Sequence, residues 1–146
     1  MPNNVRNTKL SFPITGGCLC GAIRFSISTA PFDADYCHCR RCQQSTGAPV
    51  SAWMDFKLEE VSWLKGQVKE FASTDKTFRG FCGDCGSTLS FRHQDYPQYL
   101  TLAIAALDNP ELISPNYHIY TSSQMPWFNL CDELPRYPGS RNQGNP

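Results

Sequence analysis

No apolar run in this 146-residue chain approaches the roughly 20 residues a helix needs to cross a bilayer. Met1 to Ser11 is polar and lacks the apolar segment of a secretory signal. An excess of charge of one sign is missing too. Lys plus Arg and Asp plus Glu come to 13 each, and the pI is near 6.8. That excludes the basic footprint by which nucleic-acid binders are recognised. Internal repeats and long helical periodicity are also absent. These absences predict a cytoplasmic protein that neither spans a membrane nor binds nucleic acid. The length suits one domain with its own core.

Cysteine is what the chain has in quantity. The eight cysteines fall into short-spaced groups: Cys18 with Cys20, then Cys37, Cys39 and Cys42, then Cys82 with Cys85, and Cys131 alone. In a reducing cytosol such groups indicate metal ligation over disulfides. Adjacent thiols of a C-x-C are also poorly placed for the torsion of a disulfide, whereas a tetrahedral zinc takes thiolates from neighbouring short loops.

Glycine and proline punctuate the rest into short strands. Ala22 to Ser28 alternates with Ile23, Phe25 and Ile27 inward, and Val50 to Met54, Val61 to Leu64, Gln67 to Ser73, Lys76 to Phe81, Thr88 to Arg92 and Asn116 to Thr121 follow. Tyr99 to Leu107 is nearly continuous in apolar residues, which predicts a strand covered on both faces. Arg40 to Ser45 suits one helical turn, stopped by Gly47 and Pro49. The expected architecture is all-β, with a flexible arm over residues 1–13, one zinc-binding β domain over 14–135 and a flexible tail over 136–146.

Cys18, Cys20, Cys82 and Cys85 make a complete four-thiolate set from two knuckle-like pairs, a closed and therefore structural arrangement. A competing scheme joins Cys37, Cys39 and Cys42 to Cys82 or Cys85 and strands a thiol elsewhere. If the first partition holds, Cys37, Cys39 and Cys42 leave a fourth position open, as in zinc sites that do chemistry. The other outcome is a second structural site closed by Cys131, His93, His118 or an acid. His38, between two ligands, should point away from them, as an outer-layer or surface residue. His93 and His118 read more readily as structural histidines than as ligands, and Cys131 as a buried apolar thiol. Arg40 and Arg41 stand beside the open site and could hold the carboxylates of an acidic thiol, or form a solvated turn. Trp53 and Trp127 could wall a pocket there.

Gly17-Cys18-Leu19-Cys20-Gly21, Cys37-His38-Cys39-Arg40-Arg41-Cys42 and Arg79-Gly80-Phe81-Cys82-Gly83-Asp84-Cys85-Gly86-Ser87 together resemble the glutathione-dependent formaldehyde-activating enzymes, a family with centromere protein V-like relatives. The resemblance implies a β-tent of short antiparallel sheets and two zincs, with Cys18, Cys20, Cys82 and Cys85 structural and Cys37, Cys39 and Cys42 at the active site. It implies a carbon–sulfur lyase-type activity that joins glutathione and formaldehyde as S-hydroxymethylglutathione. Two classes of function follow: a zinc enzyme acting on a small thiol and an aldehyde, or a zinc-stabilised β module that binds a thiol, metal or protein partner without turnover.

Overall fold

In Arg24–Ile27 the apolar residues Phe25 and Ile27 alternate with polar ones, and the segment forms a half-buried strand, β2. It pairs antiparallel with β1 (Ile14–Gly17) on one side and β5 (Val61–Lys65) on the other. This is the smaller sheet of a computed structural model that describes residues 10–141. Most of the expected N-terminal arm, residues 1–9, lies outside the described residues.

The larger sheet contains β3 (Asp33–Cys37), β4 (Ser51–Lys57), β6 (Lys69–Ala72), β7 (Thr77–Phe81), β8 (Thr88–His93), β9 (Tyr99–Ala103) and β10 (His118–Ile119). Its order is β10-β3-β4-β9-β8-β7-β6, antiparallel except for the β10–β3 pair. One helix, α1 (Arg40–Thr46), joins β3 to β4 and closes on Gly47 in the left-handed region at φ 71°, a conformation glycine adopts without a Cβ penalty. The all-β expectation holds. Among the described residues no helix is long and apolar enough to cross a membrane.

Two adjustments to the expected elements have local causes. The apolar run from Tyr99 does not continue as a strand to Leu107: it ends at Ala103, and Ile104–Ala106 forms a 3₁₀ turn. That turn brings both Ile104 and Leu107 into the core. Nor is the strand sealed on both faces, because Leu100 and Leu102 are buried while Tyr99 is exposed. The segment expected as a free tail is engaged as far as Arg141. Tyr137 and Gly139 exchange backbone hydrogen bonds with His118 and Tyr120, and Arg141 pairs with Asp33.

Register divides the larger sheet into two faces, because directly opposed residues of an antiparallel ladder point the same way. Ala34, Met54 and Leu102 form one row across β3, β4 and β9. With Phe56 and Leu100 they pack on Phe25 and Ile27 of the smaller sheet. The opposite face carries a row of polar and aromatic residues: Asp33, Asp55, Thr101, Phe91, Arg79 and Phe71 from β3 to β6. Asp35 with Trp53, and Cys37 with Ser51, lie on that face as well. The chemistry-bearing residues of β3 and β7 thus share the surface that does not form the core.

Candidate metal centre

Two tight turns build the four-cysteine cluster. Gly21 N–H donates to Cys18 O at 3.2 Å and Gly86 N–H to Cys82 O at 2.8 Å. Both glycines have positive φ, 79° and 77°, which a side chain would strain. The turns bring the sulfurs of Cys18, Cys20, Cys82 and Cys85 within 4.8 Å of one another. Cys18 and Cys20 Sγ are 3.6 Å apart, and Cys20 and Cys82 Sγ 3.8 Å. Four thiolates about 2.3 Å from a shared tetrahedral zinc would be separated by about 3.8 Å, so the donors already hold that spacing. Backbone N–H groups of Ile23 and Asp84 point at Cys18 and Cys82 Sγ, at 3.2 and 3.4 Å. The Ser87 hydroxyl and N–H hold the Cys85 thiol down to about 5. Donors aimed at sulfur favour thiolate.

The three-cysteine cluster forms where β3 runs into α1. Cys37 ends the strand and is buried. Cys39 caps the helix, its Sγ accepting from Cys42 N–H at 3.3 Å. Cys42 lies in the first turn, and the three sulfurs fall within 4.8 Å of one another. Among the described residues no fourth Cys, His, Asp or Glu ligand atom joins them. Hydrogen bonds from Cys37 and Cys42 hold the Cys39 thiol far below its ordinary value, and the neighbouring sulfurs push Cys37 far above. Three thiols this close cannot all be ionised unless a cation offsets the clustered charge. Such a donor set suits a soft divalent metal.

Residues expected at this site fall into two groups. Trp53 is buried against Cys37 and Cys42 and forms a wall, whereas Trp127 is 71% exposed and does not. Arg40 and Arg41 are both exposed on α1. Arg41 lines a cavity of about 440 Å³ between α1 and the β6–β7 edge; Arg40 does not. Cys131 is exposed, not the buried thiol expected, because the segment around it has no regular structure. The ring of His93 accepts from Asp95 N–H in a surface turn.

His38 is fully buried, which rules out the surface alternative and leaves it in the layer behind the cysteines. Its Nε2 meets His118 Nδ1 at 2.8 Å, and His118 Nε2 meets Asp132 at 2.9 Å. Because Asp132 accepts from His118 Nε2–H, His118 Nδ1 must accept in turn, and His38 Nε2–H donates. Burial holds the His38 pKa below the usual range, which keeps that tautomer neutral. Gln43 adds a second tie, its amide donating to His38 O at 2.9 Å and Ser123 O at 3.0 Å. His118→Ala is expected to cost about 2–4 kcal/mol, since it strands a buried donor on His38 and frees Asp132. Urea unfolding read against the parent measures it, and a change under about 0.5 kcal/mol, the scale of an ordinary surface substitution, would refute the role.

Arg79 opens the third cysteine motif, but the sequence gives it no role at the site. It is 8% exposed on β7, its guanidinium 5.1 Å from the Phe91 ring centre and its Nη1 3.6 Å from Cys42 Sγ. The available signal was a lone charge between Phe78 and Phe81 in a short strand. Asp132, far along the chain and outside any motif, gave none.

The fold and its two clusters define an all-β protein with two sets of cysteines able to hold metal. The sequence model of the glutathione-dependent formaldehyde-activating enzymes matches residues 13–123, and the chain belongs to that family. An uncharacterized lyase of Schizosaccharomyces pombe is 32% identical over 78 residues, covering 53% of this chain and 56% of the relative. The chain thus spans about half the length of this curated relative. A crystal structure of a Rhodobacter sphaeroides protein shares the fold, with a TM-score of 0.56 at 20% identity, over 70% of this chain and 92% of that one.

Proposed function

We propose that the protein is a zinc-dependent carbon–sulfur lyase-type enzyme that joins a small thiol, such as glutathione, to an aldehyde, such as formaldehyde. The observation that carries the reading is the convergence of Cys37, Cys39 and Cys42 without a fourth protein ligand among the described residues. Cys18, Cys20, Cys82 and Cys85 would hold a structural zinc; Cys37, Cys39 and Cys42 would hold the reactive one. Zinc with an open position supplies Lewis acidity and favours a sulfur ligand in its thiolate form.

In the reaction, thiol sulfur bonds to the carbonyl carbon and the thiol proton ends on the carbonyl oxygen, giving an S-hydroxymethyl product. The reverse breaks the carbon–sulfur bond. The chain's own residues contribute position: Trp53 walls the sulfur cluster, and the N-cap geometry of α1 fixes Cys39 and Cys42 together. Of the two arginines expected to hold substrate carboxylates, Arg41 lines the cavity and is assigned that role, whereas Arg40 does not line it.

Cobalt(II) placed in the three-cysteine site reports the event. Millimolar glutathione is expected to change its ligand-field and charge-transfer bands. Unmoved bands would refute thiol chemistry at this site. Bands that move while formaldehyde adduct formation stays at the buffer rate would identify a binding module instead.

A further inference from the structure

Buried arginines are rare unless paired, and Arg79 is paired on one side alone. Nη1 donates to Cys42 Sγ, but Nε is buried with no partner, and Nη2 makes no protein hydrogen bond among the described residues. A buried donor left without an acceptor forfeits its hydration with nothing in return, so a ligand is expected to complete it. The cavity of about 440 Å³ that Arg79 lines also carries Arg41, Gln44, Ser45, Ser73 and Thr88, and no carboxylate. Ser73 Oγ is held by Thr77, but the two guanidiniums, the Ser45 and Thr88 hydroxyls and the Gln44 amide line the cavity with no acid among its lining residues. Phe91 holds the Arg79 guanidinium by its face, so the edge of its donor fork is fixed before any ligand arrives.

From this arrangement we infer that Arg79 is a specificity-determining residue, and that the cavity beside it binds the carboxylate of a substrate whose sulfur or carbonyl reacts at the three cysteines. The inference rests on the proposed thiol chemistry for the reacting end, while the anion pocket stands on its own geometry. Through Nη1 the guanidinium touches Cys42, which places the carboxylate only a few bonds from the reacting atom. A short acidic thiol therefore fits better than a neutral one. A guanidinium fork discriminates in this way because two parallel charged hydrogen bonds need a planar oxyanion. Arg41, exposed at the cavity's rim, adds attraction with less geometry.

The test uses the metal-loaded protein labelled with ¹⁵N, following the Arg79 Nε–Hε resonance, assigned by its loss in Arg79→Lys. Propionate and 3-mercaptopropionate are titrated, with 2-mercaptoethanol as the uncharged control. Both acids are expected to shift the resonance. Arg79→Gln is expected to weaken 3-mercaptopropionate binding by about ten- to a hundredfold and to leave 2-mercaptoethanol within about twofold. Arg79→Lys, which keeps a cation but loses the fork, should fall between. A shift with propionate while no thiol perturbs cobalt would support the pocket and refute the thiol chemistry. If neither acid moves the resonance, or if both thiols weaken equally in Arg79→Gln and Arg79→Lys, the inference is overturned.

Discussion

Cys82→Ser is expected to abolish folding, whereas Cys39→Ser should leave a folded protein with an impaired three-cysteine site. Cys82 is 2% exposed and packs with Cys18, Ile23 and Leu89. Its cluster ties the loop between β1 and β2, in the smaller sheet, to the turn between β7 and β8 in the larger one. A structural zinc contributes about 10–16 kcal/mol of apparent binding energy to folding, against a total stability of about 5–15 kcal/mol for a domain. Loss of one thiolate from the closed set removes a share of that energy large enough to exhaust a reserve at the lower end of this range. Cys39 differs because its three-sulfur set is already open, and β3 and α1 keep backbone pairing and the Gln43 bonds without it. Soluble yield, circular dichroism and metal content of the two variants provide the measurement. Folded Cys82→Ser protein with one metal bound would show that the four-cysteine site is not structural.

The cysteine clusters were legible because ligand spacing is local: C-x-C, C-x-x-C and their glycines can be read within a few residues. Spacing left two partitions open, and the convergence of the sulfurs into sets of four and three decides between them. What surrounds the clusters was less legible. β3, Asp33-Ala34-Asp35-Tyr36-Cys37, is poor in strand formers, since its alternate residues face the polar side of the sheet. β10 is a two-residue strand whose place is fixed by hydrogen bonds from residues 135–139, a pairing no periodicity announces. Arg79 meets Cys42 across 37 positions, and His118 meets Asp132 across 14. Single polar partners at such separations leave no pattern in the chain. They become visible once the strand register places them on one face.

Asp35→Asn is expected to stabilise the protein in alkali and to have little effect in acid. Asp35 is 7% exposed and its Oδ1 has no partner. Burial, with Asp55 and Asp33 nearby, pushes its pKa up to about 8. Asp55 is raised to about 6, also by burial, despite the Thr101 hydroxyl at 2.6 Å. An unfolded aspartate titrates near 3.9. Between about pH 4 and pH 8 the folded state therefore holds more protons than the unfolded one, and stability falls as pH rises through that window. His38 acts in the opposite sense. Its lowered pKa means the unfolded state takes up the proton first, so its contribution is lost as pH falls below about 6.5. Below about pH 6.5 the histidine trend opposes the aspartate trend, and above it the aspartate trend acts alone, so stability declines from neutrality into alkali. Asn keeps the shape of Asp35 without the charge, and a tenfold change in proton affinity is worth about 1.4 kcal/mol. The gain at pH 9 should accordingly reach about 2–4 kcal/mol, after allowance for the new amide donor, and vanish near pH 4. Urea unfolding of both proteins at pH 5, 7 and 9 separates the cases. An equal change at every pH would assign the effect to packing and not to the carboxylate.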